Sequence, residues 1–501
     1  MNHATSKNQS VLFLIDTQGT NVVGCYRPDL KLGTPHLDRL ASEGIRFDKA
    51  YTCSPVCGPA RSAIFTGLYP HSNGVLGNDM APHADLPTLG QRLTKRGIKT
   101  GYVGKWHLDG FDYFGDGRCP NGWDPDIWFD GLNYLQSLPD ETARQLSRNV
   151  HGPESVAEHG ITSEFTHAHR IADRAIQFIE THRDEDFLLV VSIDEPHHPF
   201  ICPEPFISEF EDFEYPVKTW NADLSEKTQQ QRDWAEHQEK LSKGPTLKHS
   251  PYFACNSYCD SQIGRVLSSI DRTTPDALVI HTSDHGDMLN SHGLMGKGPV
   301  AYEEVTRIPL IVRWPRNAPA GASSKCPVSH IDLVPTLLDY HGLEQPPILQ
   351  GKSLLPQLEQ PAHRTNDCVF IEFNRFEVDH DGFGSFYPIR AATDGRYKLA
   401  LNLHDRDEFY DLESDPDELN NRIDLPSPER DRLHRAILDW MDATRDPFRG
   451  PPWHHRPWSN RPRPSYWGGP TRPRPFDPDF SPPTRLYETG KVIDRAVYRK
   501  D

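Results

Sequence analysis

Apolar positions along this chain gather into short continuous runs, each stopping at a polar residue. Residues 11–15 run up to Asp16, 100–103 to Gly104 and Lys105, and 187–193 to Asp194. Residues 277–281 lead to Ser283, Asp284 and His285, and 309–314 form a further strand candidate. Helical patterns follow several of these runs, among them 252–267. Continuous β-branched runs alternating with helices predict a mostly parallel sheet covered on both faces. Such sheets bind ligands at the carboxyl ends of their strands. Asp16, Lys105, Asp194 and Asp284 all fall there, and the topology brings them to one rim.

The pattern changes after about residue 355. Runs at 369–373, 389–393 and 397–401 are short and read as antiparallel strands, followed by a helix over 427–445. From residue 450 the chain is dense in Pro, Arg and aromatics, including Trp453, Trp458 and Trp467. That composition predicts neither regular helix nor central strand and reads as an arm on the surface. The expected fold is α/β: a large mostly parallel central sheet flanked by helices, then a smaller C-terminal α+β domain with an antiparallel sheet. The expected division is 1–355 (catalytic), 356–449 (C-terminal) and 450–501 (arm).

Charge and cysteine usage narrow the class. The 501 residues carry 54 Lys+Arg against 71 Asp+Glu, a net charge of −17. This argues against nucleic-acid or anionic-membrane partners. An acidic protein that handles anions must concentrate positive charge in a pocket. No run approaches the roughly 20 apolar residues of a membrane span. The start lacks the apolar core of a signal peptide, so the chain as written reads as cytoplasmic, or as periplasmic or secreted if a leader has been removed. Nine scattered cysteines, an odd number, fit reduced thiols. Homo-oligomerisation stays open.

The chemistry-bearing residues then select a reaction type. A nucleophile elbow, a P-loop, a dinucleotide fingerprint and an H-E-x-x-H are absent from the sequence. Asp16 and Asp284 offer carboxylates and His285 a nitrogen, a set favouring Ca²⁺, with Mg²⁺ or Mn²⁺ as alternatives, over Zn²⁺. Taken alone, Asp16 could cap a strand end and Asp284 a helix. Arg61, Lys105, His107, His197 and Lys297 supply cations or protons. A metal beside several cations at a sheet rim makes a site for a sulfate or phosphate ester. Cys53 and Cys57, four apart, leave disulfide, metal clip and nucleophile all open at this point.

The stretch Cys57-Gly58-Pro59-Ala60-Arg61, with "SAIFTGLYPH" after it, resembles the signature of the type I sulfatases of the alkaline phosphatase superfamily. "GYVGKWHL" (101–108), "PHHPF" (196–200), "SDHGDMLNSHGLMGKG" (283–298) and "FYDLESDPDELNN" (409–421) resemble further family segments in the right order. The resemblance implies that Cys57 is oxidised to Cα-formylglycine by a formylglycine-generating or anaerobic sulfatase-maturating enzyme. It implies that Asp16, Asp284 and His285 hold the metal, with the modified Cys57 completing the shell. Arg61 would hold formylglycine in place, Lys105 and Lys297 contact the sulfate, and His107 stand beside the formylglycine hydroxyls. His197 or Lys297 would protonate the leaving alcohol. Asn78 and His198 are candidate substrate contacts, with Asn78 equally readable as a turn residue and His198 as structural. The implied activity is hydrolysis of a sulfate ester, in a sulfated carbohydrate or other small molecule. One departure stands out: many relatives have a second aspartate after the first, whereas Thr17 follows Asp16 here. That keeps phosphonate monoester or phosphodiester hydrolysis as the alternative.

Overall fold

The computed structural model describes residues 7–139, 141, 162–238, 244–315, 317–376 and 386–459. Its strands in chain order are β1 (Gln9–Ile15), β2 (Ile45–Phe47), β3 (Ala50–Tyr51), β4 (Lys99–Gly104), β5 (Phe187–Ile193), β6 (Tyr215–Pro216), β7 (Thr246–Leu247), β8 (Leu278–Ser283), β9 (Leu310–Arg313), β10 (Ala322–Ser324), β11 (Val328–Ser329), β12 (Val369–Phe373), β13 (Ile389–Thr393), β14 (Tyr397–Asn402) and β15 (Glu408–Asp411). Seven form the main sheet in the order β10-β2-β9-β8-β1-β5-β4. Only β9 runs against its neighbours, so the sheet is mostly parallel, as the continuous apolar runs predict.

The alternation of side chains along β1 sorts the core into two layers. Val11, Phe13 and Ile15 point to one face, among side chains of the helices His167–Thr181 and Ser250–Thr273. Leu12 and Leu14 point to the other, with Ile64 and Phe65 of the helix Cys57–Thr66 and Leu337 of the helix Leu333–Tyr340. The register then builds the rim. Ile15 pairs with Ile193 on one side and Ser283 on the other. The ladders continue one step further: Asp16 N–H donates to Ile193 O (3.1 Å), Asp284 N–H to Ile15 O (3.3 Å) and Lys105 N–H to Ser192 O (3.0 Å). Asp16, Asp194 and Asp284 therefore emerge side by side where three parallel strands end.

The second sheet is antiparallel, β12-β13-β14-β15. Leu399 and Leu401 of β14 pack with Leu433, Ile437 and Trp440 of the helix Pro428–Ala443. Ala63 of the helix Cys57–Thr66 belongs to the same cluster, so that helix is gripped between the two sheets. The expectation of no helix after residue 450 needs correcting. Pro451–His454 forms one helical turn, because Pro in a first turn forfeits only N–H groups with no intrahelical partner. Trp453, expected on a surface arm, is fully buried, its Nε1–H donating to Phe448 O at 2.8 Å. Arg456 follows it inward to pair with Asp407 (2.7 Å). Trp467 and the rest of the Pro/Arg-rich stretch lie outside the described residues. All nine cysteines are free thiols. No helix among the described residues is long and apolar enough to cross a membrane.

Candidate active site

Cys57 is the first residue of the helix Cys57–Thr66, every residue of which is buried. The next N–H, on Gly58, donates to Asn78 Oδ1 at 2.8 Å, and a Cβ at Gly58 would stand only 3.2 Å from that oxygen. Asn78 thus fixes the start of the helix. Gly67 ends it in the left-handed region (φ 69°), its N–H on Ala63 O, a conformation glycine adopts without strain. The helix N-terminus, with its partial positive charge, faces the rim. Cys57 Sγ lies 2.6 Å from Lys297 Nζ, 3.2 Å from His285 Nε2 and 3.7 Å from Asp16 Oδ1.

Asp16, Cys57, Asp284 and His285 each offer a donor atom, and these four atoms lie within 4.8 Å of one another, all buried. The donor set fits a divalent cation. Two carboxylates supply hard oxygens. His285 Nδ1–H donates to Gly286 O at 2.8 Å, which fixes the tautomer and leaves Nε2 with its lone pair towards the cluster. Burial, with Lys297 nearby, keeps His285 below its ordinary range and hence neutral. Burial opposes ionisation of Asp16, but Lys105 and Lys297 outweigh it and hold the carboxyl well below the usual carboxylate range. Thr17 turns inward here: its Oγ1 donates to Asp16 Oδ1 at 2.5 Å and its N–H to Asp284 Oδ1 at 3.1 Å. Thr17 reaches this position at φ 59°, a costly backbone for a β-branched residue.

The cations close around this cluster. Arg61, on the first turns of the same helix, is fully buried. Its Nε donates to Asp284 Oδ2 (2.9 Å), its Nη2 to Asp16 Oδ2 (3.2 Å), and its Nη1 to Lys105 O and Ser192 Oγ. Lys105 Nζ stands between Asp16 Oδ2 (2.7 Å) and Asp194 Oδ1 (2.8 Å). Burial works against its charge, but these two carboxylates raise it above the ordinary lysine range. His107 occupies φ 58° with Nε2 3.3 Å from Asp79 Oδ1. Burial lowers it, but Asp79 and Cys57 prevail and raise it. His197 is buried, its Nδ1–H on His198 O at 2.9 Å. Burial, Lys105 and Lys297 push it well below 6.5.

The structure therefore gathers Asp16, Cys57, Arg61, Lys105, His107, His197, Asp284, His285 and Lys297 at one rim. His198 is exposed at its edge, stacked on His197 at 4.3 Å between ring centroids. Both line a cavity of about 460 Å³ beside Lys297, walled by Phe200, Trp234, Tyr252, Met295 and Phe376, with one carboxylate, Asp287. Asp194, placed at the rim by the apolar run it ends, proves to share Lys105 with Asp16. Sequence reasoning gave no such role to three other participants: Tyr113 places its ring 5.0 Å from the Lys105 ammonium, Ser192 holds Arg61, and Asp79 holds His107.

The sulfatase family profile matches residues 9–343, and the profile described as N-sulphoglucosamine sulphohydrolase, C-terminal, matches 290–444. The chain is 44% identical to the uncharacterized sulfatase YidJ of Escherichia coli (strain K12), covering 97% of each chain. It is 28% identical to the N-acetylglucosamine-6-O-sulfatase of Bacteroides thetaiotaomicron, covering 89% of this chain and 87% of that one. Its fold superposes on the crystal structure of the phosphonate monoester hydrolase of Agrobacterium radiobacter with a TM-score of 0.70 at 22% identity, over 87% of this chain and 96% of the other.

Proposed function

The chain belongs to the sulfatase family, and from that premise we propose that it releases sulfate from a sulfated carbohydrate, with Cys57 oxidised to Cα-formylglycine and calcium held by Asp16, Asp284 and His285. The observation that carries this reading is the convergence of three buried donor atoms, from Asp16, Asp284 and His285, on Cys57 at a helix N-terminus, with Lys297 and Lys105 beside them. Maturation then calls for a formylglycine-generating or anaerobic sulfatase-maturating partner.

When present, the cation and the hydrated formylglycine supply a Lewis acid and a hydroxyl nucleophile. The chain's own groups do the rest. Arg61 keeps the Asp16 and Asp284 carboxylates in place from beneath. Lys105 and Lys297 offer ammonium groups to the non-bridging ester oxygens, whose charge they stabilise during transfer. His107, with Nε2 held by Asp79, has no hydrogen-bond partner on Nδ1 among the described residues, and accepts a proton there. His197 is neutral in the free protein. An anion bound between Lys105 and Lys297 offsets the cations that depress it, so that it can carry a proton to the leaving alcohol. The 460 Å³ cavity beside it takes the alcohol, and its aromatic walls suit the apolar face of a sugar ring.

Sulfate release from a panel of sulfated mono- and oligosaccharides tests the reading, with the Cys57 peptide followed by mass. Turnover of none of them overturns the carbohydrate assignment. Thr17 supports a second reading, a phosphonate monoester or phosphodiester hydrolase, because a hydroxyl in place of a carboxylate lowers the negative charge at the metal. Faster cleavage of a phenyl phosphonate monoester than of nitrophenyl sulfate would establish it instead.

A further inference from the structure

Beside Lys105 is a narrow cavity bordered by Lys105, Tyr134, His167, Asp194, Glu195 and His197. It offers about 30 Å³ to a water-sized sphere, and one water needs roughly 10–15 Å³ on that measure. Two buried side chains each bring one unpartnered atom to it. Glu195 is 5% exposed and His167 8%, and Glu195 Oε2 and His167 Nε2 have no hydrogen-bond partner among the described residues. Leaving such atoms dry carries the full desolvation penalty of a buried polar group.

We infer that this cavity holds an ordered water bonded to Glu195 Oε2 and His167 Nε2, and that Glu195, through Asp194 beside it, is a positioning residue setting the net charge Lys105 presents to the ester anion. The inference rests on Lys105 as an anion contact in the proposed site.

The hydrogen bonding is consistent. His167 opens the helix His167–Thr181 and bonds the Phe129 backbone carbonyl. Burial pushes it down to about 4, so it is neutral and its Nε2 is an acceptor. A donor must face it from across the cavity. Burial, helped by Asp194, pushes Glu195 up to about 8, so at neutral pH it carries the proton that a water can relay. Above pH 8 it ionises next to Asp194. The Lys105 ammonium, already shared by Asp16 and Asp194, then meets a third carboxylate, and its attraction for an incoming anion weakens. Other groups facing Glu195 do not titrate in this window. Tyr134, Tyr258, Cys255 and Cys259 are pushed up by burial, and Cys202 by its contact with the Cys255 thiol. His197 is held well below 6.5 by burial and the two lysines.

The test is binding of inorganic sulfate to the full chain with calcium present, by titration calorimetry at pH 7 and pH 9. Wild type should lose about tenfold in affinity between the two, and Glu195→Gln, a neutral side chain that keeps a donor, less than threefold. The same loss in both proteins overturns the inference. Should Glu195→Gln fail to fold, a crystal structure of the wild type at a resolution that orders solvent decides: a water within hydrogen-bond distance of both Glu195 Oε2 and His167 Nε2 supports the inference, and an empty cavity overturns it. Because no turnover is involved, a failure here is distinct from failure to release sulfate from sugars.

Discussion

Lys297 Nζ stands 2.6 Å from Cys57 Sγ, although 240 residues separate them in the chain. The ammonium approaches the one side chain whose oxidation the proposed mechanism needs. Burial lowers Lys297, but Cys57 and Asp16 outweigh it and raise its pKa, so it is charged across the working range. Lys297→Ala should lower kcat/KM for nitrophenyl sulfate by about 10²–10³, as for loss of one preorganised charge donor. Cys57→Ala should abolish turnover, and the mature wild-type peptide should weigh about 18 Da less than its unmodified form. Full activity in Cys57→Ala would remove the nucleophile from this account.

Arg61 predicts a stability effect where Lys297 predicts a catalytic one. Its guanidinium reaches two carboxylates, a carbonyl and a hydroxyl from a fully buried position. A lysine has the charge without the fork. Breaking a buried pair strands a carboxylate, at a cost of about 3–5 kcal/mol. Arg61→Lys should therefore unfold at markedly lower temperature than wild type in differential scanning calorimetry. An unchanged midpoint would mean that Asp16 and Asp284 need no counter-charge from beneath.

His197 separates good leaving groups from poor ones. Nitrophenolate departs without a proton, whereas a sugar alkoxide needs one. His197→Ala should lower sulfate release from an alkyl sulfate by about 10²–10³ and from nitrophenyl sulfate by less than tenfold. Equal losses on both would make His197 a binding residue and leave Lys297 as the proton donor.

Much of this site can be read from the chain, for a physical reason. A parallel sheet needs continuous apolar strands, so Asp16 and Asp284 mark the rim simply by ending such runs. The register of β1 with β5 and β8 does the rest. Asp194 ends a run too, but nothing in its neighbourhood ties it to Lys105 until β4 and β5 are paired. Asn78 was open between turn and substrate contact, and its Oδ1 is spent on the Gly58 N–H. Glu195 and His167 carry no sequence signal, because their character comes from burial in a cavity assembled from four separate segments. Trp453 was misjudged since a Pro-rich composition reads as irregular, although Pro451 and Pro452 are well suited to a first helical turn.

Asp287 makes the last prediction, about the leaving group. Its Oδ1 accepts the N–H groups of Leu289 and Gly296, each at 2.9 Å, and so shapes the loop that carries Lys297. Its carboxylate also lines the 460 Å³ cavity, where it is the only acidic side chain among the described residues. The one lysine there, Lys297, is turned to Cys57, and burial holds His197 neutral. A leaving group in this cavity thus meets aromatic walls and one negative charge. A unit charge about 6 Å away in a half-wet site feels roughly 1–3 kcal/mol from it. The wild type should accordingly prefer a phenyl sulfate bearing a trimethylammonium group over one bearing a carboxylate, at matched leaving-group pKa. Asp287→Asn keeps an oxygen acceptor for both backbone N–H groups and discards only the charge, so it should narrow that preference about tenfold in kcat/KM while nitrophenyl sulfate turnover changes little. If the ratio stays put, Asp287 serves the loop alone, and selection of the alcohol is made elsewhere on the rim.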